Sequence, residues 1–194
     1  VLGCAVLFIA RHKSWKLLNA LAFAATWGVV LIALAQAYKP ADFGVVMPFL
    51  VLFFLQFAAL PTISNLARRE PSTLLTLAGM TVNTALLLGV GYGLIVDVGE
   101  PEHASLLTLG VAVFYAAHAF FFIRRGVCDR NLLTLYLGFA VFSITITAPI
   151  LFSEAWWSAA WSLQAFVLLW MALRIRSHFL RRLGVLVAVL APAV

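Results

Sequence analysis

Charged residues in this chain come in short clusters, and the stretches between clusters are apolar for about twenty residues at a time. At about 1.5 Å per helical residue, such a stretch covers roughly the 30 Å hydrocarbon core of a bilayer. Only 10% of the 194 residues are charged and 64% are hydrophobic, too few charges to cover the surface of a water-soluble fold of this length. The fold class this predicts is all-α, a polytopic transmembrane helical bundle, because a lipid-exposed backbone is satisfied only by helices or closed barrels.

The apolar runs predict six full spans, at 17–37, 43–64, 74–96, 104–123, 132–152 and 155–173, with a partial helix at 1–10 and another at 183–194. A single membrane domain over 1–194 is the expectation, since the loops are short. The chain begins at Val1 and ends within an apolar run, so it is expected to be a piece of something longer. The first ten residues do not read as a signal peptide, because their basic cluster, RHK, follows the apolar stretch instead of preceding it. Cys4 and Cys128 form no metal-binding spacing, and the spans place one in the membrane and the other in a loop.

Loop charge alternates in sign. Twelve of the thirteen Lys and Arg residues fall in RHKSWK, NLARREPST, RRGVCDRN and RIRSHFLRR. The intervening loops hold Lys39 and five of the seven acids: Asp42, Asp97, Glu100, Glu102 and Glu154. Basic residues in short loops stay cytoplasmic, so the alternation predicts both the crossings and their direction. It also accounts for the net charge of +6 without nucleic acid. Arg174, Arg176, Arg181 and Arg182 are placed to meet anionic lipid headgroups, at about 1 kcal/mol per basic residue near the surface.

Local signals refine the spans. Pro48 falls in the first turns of its helix, and Pro61 and Pro149 leave the carbonyls of Phe57 and Thr145 without their helical N–H partners. SITITAP, 143–149, alternates like a strand, but an open strand edge cannot be satisfied in lipid, so it is read as helix. The recurrence of LLTL at unequal spacings is read as coincidence in a leucine-rich chain.

No Asp, Glu, Lys or Arg is placed near mid-membrane, which counts against a carboxylate relay within these spans. The deep polar residues are Gln164, Asn83, Gln56 and His118. For the three amides, interhelical hydrogen bonding is weighed against lining a polar cavity. His118 lies among Phe114, Tyr115, Phe121 and Phe122; it is read as a structural hydrogen-bonding group against the alternatives of general base or ligand, and no metal site or cofactor is expected. Gly89 and Gly93, four apart, are expected to allow close helix packing. Trp156, Trp157, Trp161 and Trp170 lie near the ends of one span as interfacial anchors, and Trp161 and Gln164 share a face.

Residues 135–187 carry an apolar stretch ending in Pro149, a short loop, Trp156 and Trp161 with Leu163 two residues on, and Trp170 shortly before Arg174 and a basic turn. With RHKSWKLLNALAFAATW at 11–27, this resembles the bacterial family DUF2339, predicted membrane proteins of unknown function. The resemblance implies a bacterial inner-membrane location and supplies no catalytic residues. It also implies Glu at the position of Gln164 in many members, whereas the amide here does not titrate.

Three functions stay open: transport or sheltering of an amphipathic envelope substrate, a membrane-embedded transferase using His118, and a non-catalytic scaffold of an envelope complex. The balance leans away from an enzyme. The bilayer and its anionic headgroups are the partners the sequence implies; protein partners are not specified.

Overall fold

The computed structural model describes residues 16–68, 72–99, 101–126, 129–151, 159–166, 169–170 and 178–190. Among them every regular element is a helix: α1 (Lys16–Ala37), α2 (Phe43–Arg68), α3 (Leu74–Asp97), α4 (Ala104–Arg125), α5 (Arg130–Leu151) and α6 (His178–Leu190). Residues 159–166 are also helical. Short 3₁₀ turns at Pro40–Asp42 and Pro101–His103 lead into α2 and α4.

Helices α1 to α5 each contain a stretch long and apolar enough to cross a membrane, matching five of the six expected full spans. The partial helix at 1–10 lies outside the described residues, as does much of the span at 155–173. Two helices run further into basic sequence than hydropathy suggests. α2 continues to Arg68 and α6 starts at His178, five residues before Leu183. Arginine ends an apolar span without ending a helix, because its helix propensity is high. SITITAP lies within α5 and is helical.

The chain divides into two compact units, 1–100 with 127–129 and 101–126 with 130–194. In the first, Trp27 of α1, Leu50, Phe54, Phe57 and Ala58 of α2, and Met80, Leu87 and Leu94 of α3 are the buried core. Phe23 meets Phe57 edge to face, with ring centroids 5.1 Å apart. In the second, α4 buries Ala112, Tyr115, Ala119 and Phe122, spaced three and four apart, and α5 buries Leu132, Tyr136, Leu137 and Ala140. Alanine on both helices lets their backbones approach while the aromatics fill the remaining space.

The outward faces are as apolar as the cores. Leu21, Val29, Phe49, Leu52, Leu106, Val113, Phe142 and Leu163 are all exposed. In water such a surface would aggregate; in lipid it is the ordinary solvent-facing side.

Helix ends at the basic side are specified by side chains. Thr73 caps α3, its Oγ1 accepting the Thr76 N–H at 3.4 Å. Just before that cap, the buried Asp129 accepts the Ser72 N–H at 2.7 Å, placing a carboxylate at the positive end of α3. Gly126 closes α4 with φ 62°, a left-handed conformation that favours glycine.

Candidate functional site

The deepest polar group of the first unit is Asn83, on the α3 face that also buries Met80, Thr84, Leu87, Gly91 and Leu94. Its side chain is completely buried, and both halves of its amide are used. The Trp27 Nε1–H donates to Oδ1 at 3.0 Å, and Nδ2 donates to the Phe54 carbonyl at 3.0 Å. One amide thus joins α1, α2 and α3. A buried amide left unpaired costs several kcal/mol in hydrocarbon, so this geometry turns a liability into a specific junction.

The polar junction between α4 and α5 is built of hydroxyls. Thr108 and Thr147 lie 2.7 Å apart, oxygen to oxygen, and both are buried. Thr108 is also within reach of the Ser105 carbonyl and Thr147 of the Ser143 carbonyl, at 3.0 and 2.7 Å. Each hydroxyl has one proton, so one bridges the helices while the other bonds back to its own helix. Threonine suits this position because its back-bond lets it enter an apolar helix at little cost. The exposed Thr81 shows the back-bond alone, to the Leu77 carbonyl at 2.9 Å.

Gln164 turns toward α5. Its Nε2 donates to the Val141 carbonyl at 2.9 Å and to the Thr145 Oγ1 at 2.5 Å. One turn earlier, the Trp161 Nε1–H points to the Thr145 carbonyl at 3.4 Å. That carbonyl has no i+4 donor because residue 149 is proline, so the indole takes the place of the missing N–H. Trp161, expected as an interfacial anchor, therefore also serves the carbonyl that Pro149 leaves open in α5.

His118 is half-buried, with Nδ1 2.8 Å from the Phe114 carbonyl. A carbonyl only accepts, so Nδ1 carries the proton in this bond. The imidazole lies 4.2 Å from the Phe114 ring and 5.6 Å from Tyr136, centroid to centroid. Tyr136 in turn meets Tyr115 at 5.7 Å and Phe122 at 5.4 Å. The ring is held as one member of an aromatic cluster. Among the described residues, no three His, Cys, Asp or Glu side chains come together as a metal site would need.

Other expected positions are distributed differently. Gly89 and Gly93 are exposed, with open space where a Cβ would stand, and Gly91 is the buried glycine. At 100° per residue, positions 89 and 93 share a face and position 91 lies opposite, so packing falls on the middle glycine. Gln56 is partly exposed, and among the described residues no hydrogen bond reaches its amide. Trp170 is exposed, while Trp156, Trp157, Arg174 and Arg176 lie outside the described residues. Arg181 and Arg182 are exposed on α6 and line a shallow apolar groove with Val185, Leu186 and Val189.

Three participants were not singled out by sequence: Trp27 as the partner of Asn83, Thr108 opposite Thr147, and Asp129 at the start of α3. For Trp27 a signal existed, since a tryptophan eleven residues into a span is too deep for an interfacial belt. At the acidic side, Tyr38 is held protonated beyond the ordinary tyrosine range by burial and by the nearby carboxylates of Asp97 and Asp42.

A family model described as "Predicted membrane protein (DUF2339)" matches residues 1–194, the full length of the chain. No curated protein and no solved structure matches it significantly.

Proposed function

The chain belongs to the DUF2339 family of predicted membrane proteins, and from that premise we propose that it is a non-catalytic scaffold module of a multi-pass protein in the bacterial inner membrane, with its basic loops in the cytoplasm. The observation that carries this reading is Asn83. A residue lining a substrate path keeps polar atoms free for the substrate, whereas Asn83 is wholly buried and bonded to Trp27 and Phe54. The Gln164 donors and the Thr108–Thr147 pair are likewise spent on neighbouring helices. In this reading the interior fixes the geometry of the helices, and the broad apolar faces are what the module offers to lipid and to neighbouring proteins. The basic ends, including Arg181 and Arg182, hold the module in register against anionic headgroups.

The full-length protein, purified with its lipids, tests this with two readouts on Asn83→Leu and Gln164→Leu. A packing role lowers the melting temperature and leaves the bound molecules seen by native mass spectrometry unchanged. A substrate-lining role gives the reverse: a stoichiometric bound molecule disappears while the melting temperature holds. The second outcome would replace the scaffold reading with handling of that molecule.

A further inference from the structure

Hydrophobicity is far more unevenly distributed around α6 than around α1 to α5. Gly184 and Val187 are buried, while Arg181, Arg182, Val185, Leu186 and Val189 are exposed and share about 140° of the opposite side. Those five side chains line one groove of about 510 Å³, within the size range of small-molecule sites. The groove has a direction. Both charges stand at its start, and the apolar side chains follow, over eight residues or roughly 12 Å from Arg181 to Val189. Charge first and an apolar wall after it is also the order of headgroup and acyl chain in a phospholipid.

Local sequence does not neutralise the charged end. Residues 155–194 contain no Asp or Glu, and their four basic residues, Arg174, Arg176, Arg181 and Arg182, are all arginine. A guanidinium offers paired donors that match phosphate oxygens, where lysine offers a point charge. A second copy of the chain brings little to this end, since five of the seven acids lie in the opposite loops and Asp129 is buried against Ser72. A basic helix end is not by itself such a groove. At the end of α4 the Arg124 and Arg125 guanidiniums lie over the Phe120 and Phe121 rings of their own helix, 4.7 and 5.2 Å from the centroids.

We infer that α6 carries a binding site for one anionic glycerophospholipid, with its phosphate between Arg181 and Arg182 and an acyl chain along Val185, Leu186 and Val189. This rests on the reading above that the basic ends meet headgroups, and adds a single occupant in a fixed place. Charge complementarity selects the headgroup. The apolar wall separates a lipid from a free phosphate, which would leave that wall uncovered.

The test titrates phosphatidylglycerol into the full-length protein in neutral detergent and counts bound lipid by native mass spectrometry. One molecule should bind saturably, and Arg181→Gln with Arg182→Gln should weaken it about thirtyfold. Val185→Trp, which fills the groove and keeps both charges, should weaken it about tenfold, and Val189→Phe gives an independent reading at the far end. Arg124→Gln with Arg125→Gln removes the same charge and should change binding by less than about twofold. Glycerol 3-phosphate should not displace the lipid. Melting temperatures without lipid, unchanged in each variant, separate lost binding from lost fold. Equal losses from the α4 and α6 pairs, indifference to both groove-filling substitutions, displacement by glycerol 3-phosphate, or no saturable binding would overturn the proposal. None of these outcomes touches the Asn83 and Gln164 readouts, so failure here is distinct from failure of the scaffold reading.

Discussion

Asn83 and Gln164 are both amides within long apolar stretches, yet the two units use them differently. In the first unit, one fully buried side chain satisfies a donor from α1 and an acceptor from α2, so three helices depend on a single residue. In the second, polar contact is spread over Thr108, Thr147, Thr145, Trp161 and Gln164, most of them also bonded to their own helix or only partly buried. A concentrated junction fails when one atom is lost. A distributed one loses a share at a time, because each hydroxyl can retreat to its own backbone. The contrast teaches that the same composition gives one region an all-or-none lock and the other a graded one.

The largest expected effect is therefore at Asn83. Asn83→Leu leaves the Trp27 N–H buried without a partner and should cost about 2 kcal/mol of unfolding free energy, measured by reversible unfolding in mixed micelles. Gln164→Leu should cost about 1 kcal/mol in the same assay, since it removes two donors from α5 while the Thr145 hydroxyl keeps its bond to Val141. Thr147→Val should cost about 0.6 kcal/mol, and adding Thr108→Val should cost little more, because the first change already releases the second hydroxyl to the Ser105 carbonyl. Smallest of all, Gly89→Ala should be neutral or stabilising by up to about 0.5 kcal/mol, since no neighbour stands within reach of the added methyl. A loss above about 1 kcal/mol at Gly89 would mean that close packing does fall on that face.

Much of the fold was legible because charge placement in a membrane protein is nearly a map of its helix ends. The chemistry at the proline was legible too: Pro149 predicted a stranded Thr145 carbonyl, and Trp161 was already on the face of Gln164. What sequence left open was direction. In a soluble helix the polar face marks the outside, but here both faces are apolar, so periodicity gives which residues share a side and not which side is inward. This is why Asn83 and Gln56, for both of which interhelical bonding was weighed against lining a polar cavity, point to opposite environments, and why Gly91 rather than Gly89 or Gly93 is the buried glycine. Trp27 escaped notice for a related reason, since tryptophan in a membrane chain is read first as a belt residue.

Asn83, Gln164 and the Thr108–Thr147 pair spend their polar groups on neighbouring helices, and the bond between Trp27 and Asn83 states this most plainly. A double-mutant cycle of Trp27→Phe and Asn83→Leu, read by unfolding of the full-length protein, isolates that bond from the packing each residue also makes. A coupling energy of about 1 kcal/mol is the predicted result. Strict additivity of the two substitutions would contradict the account, because it would mean that the Asn83 amide does its work somewhere other than on Trp27.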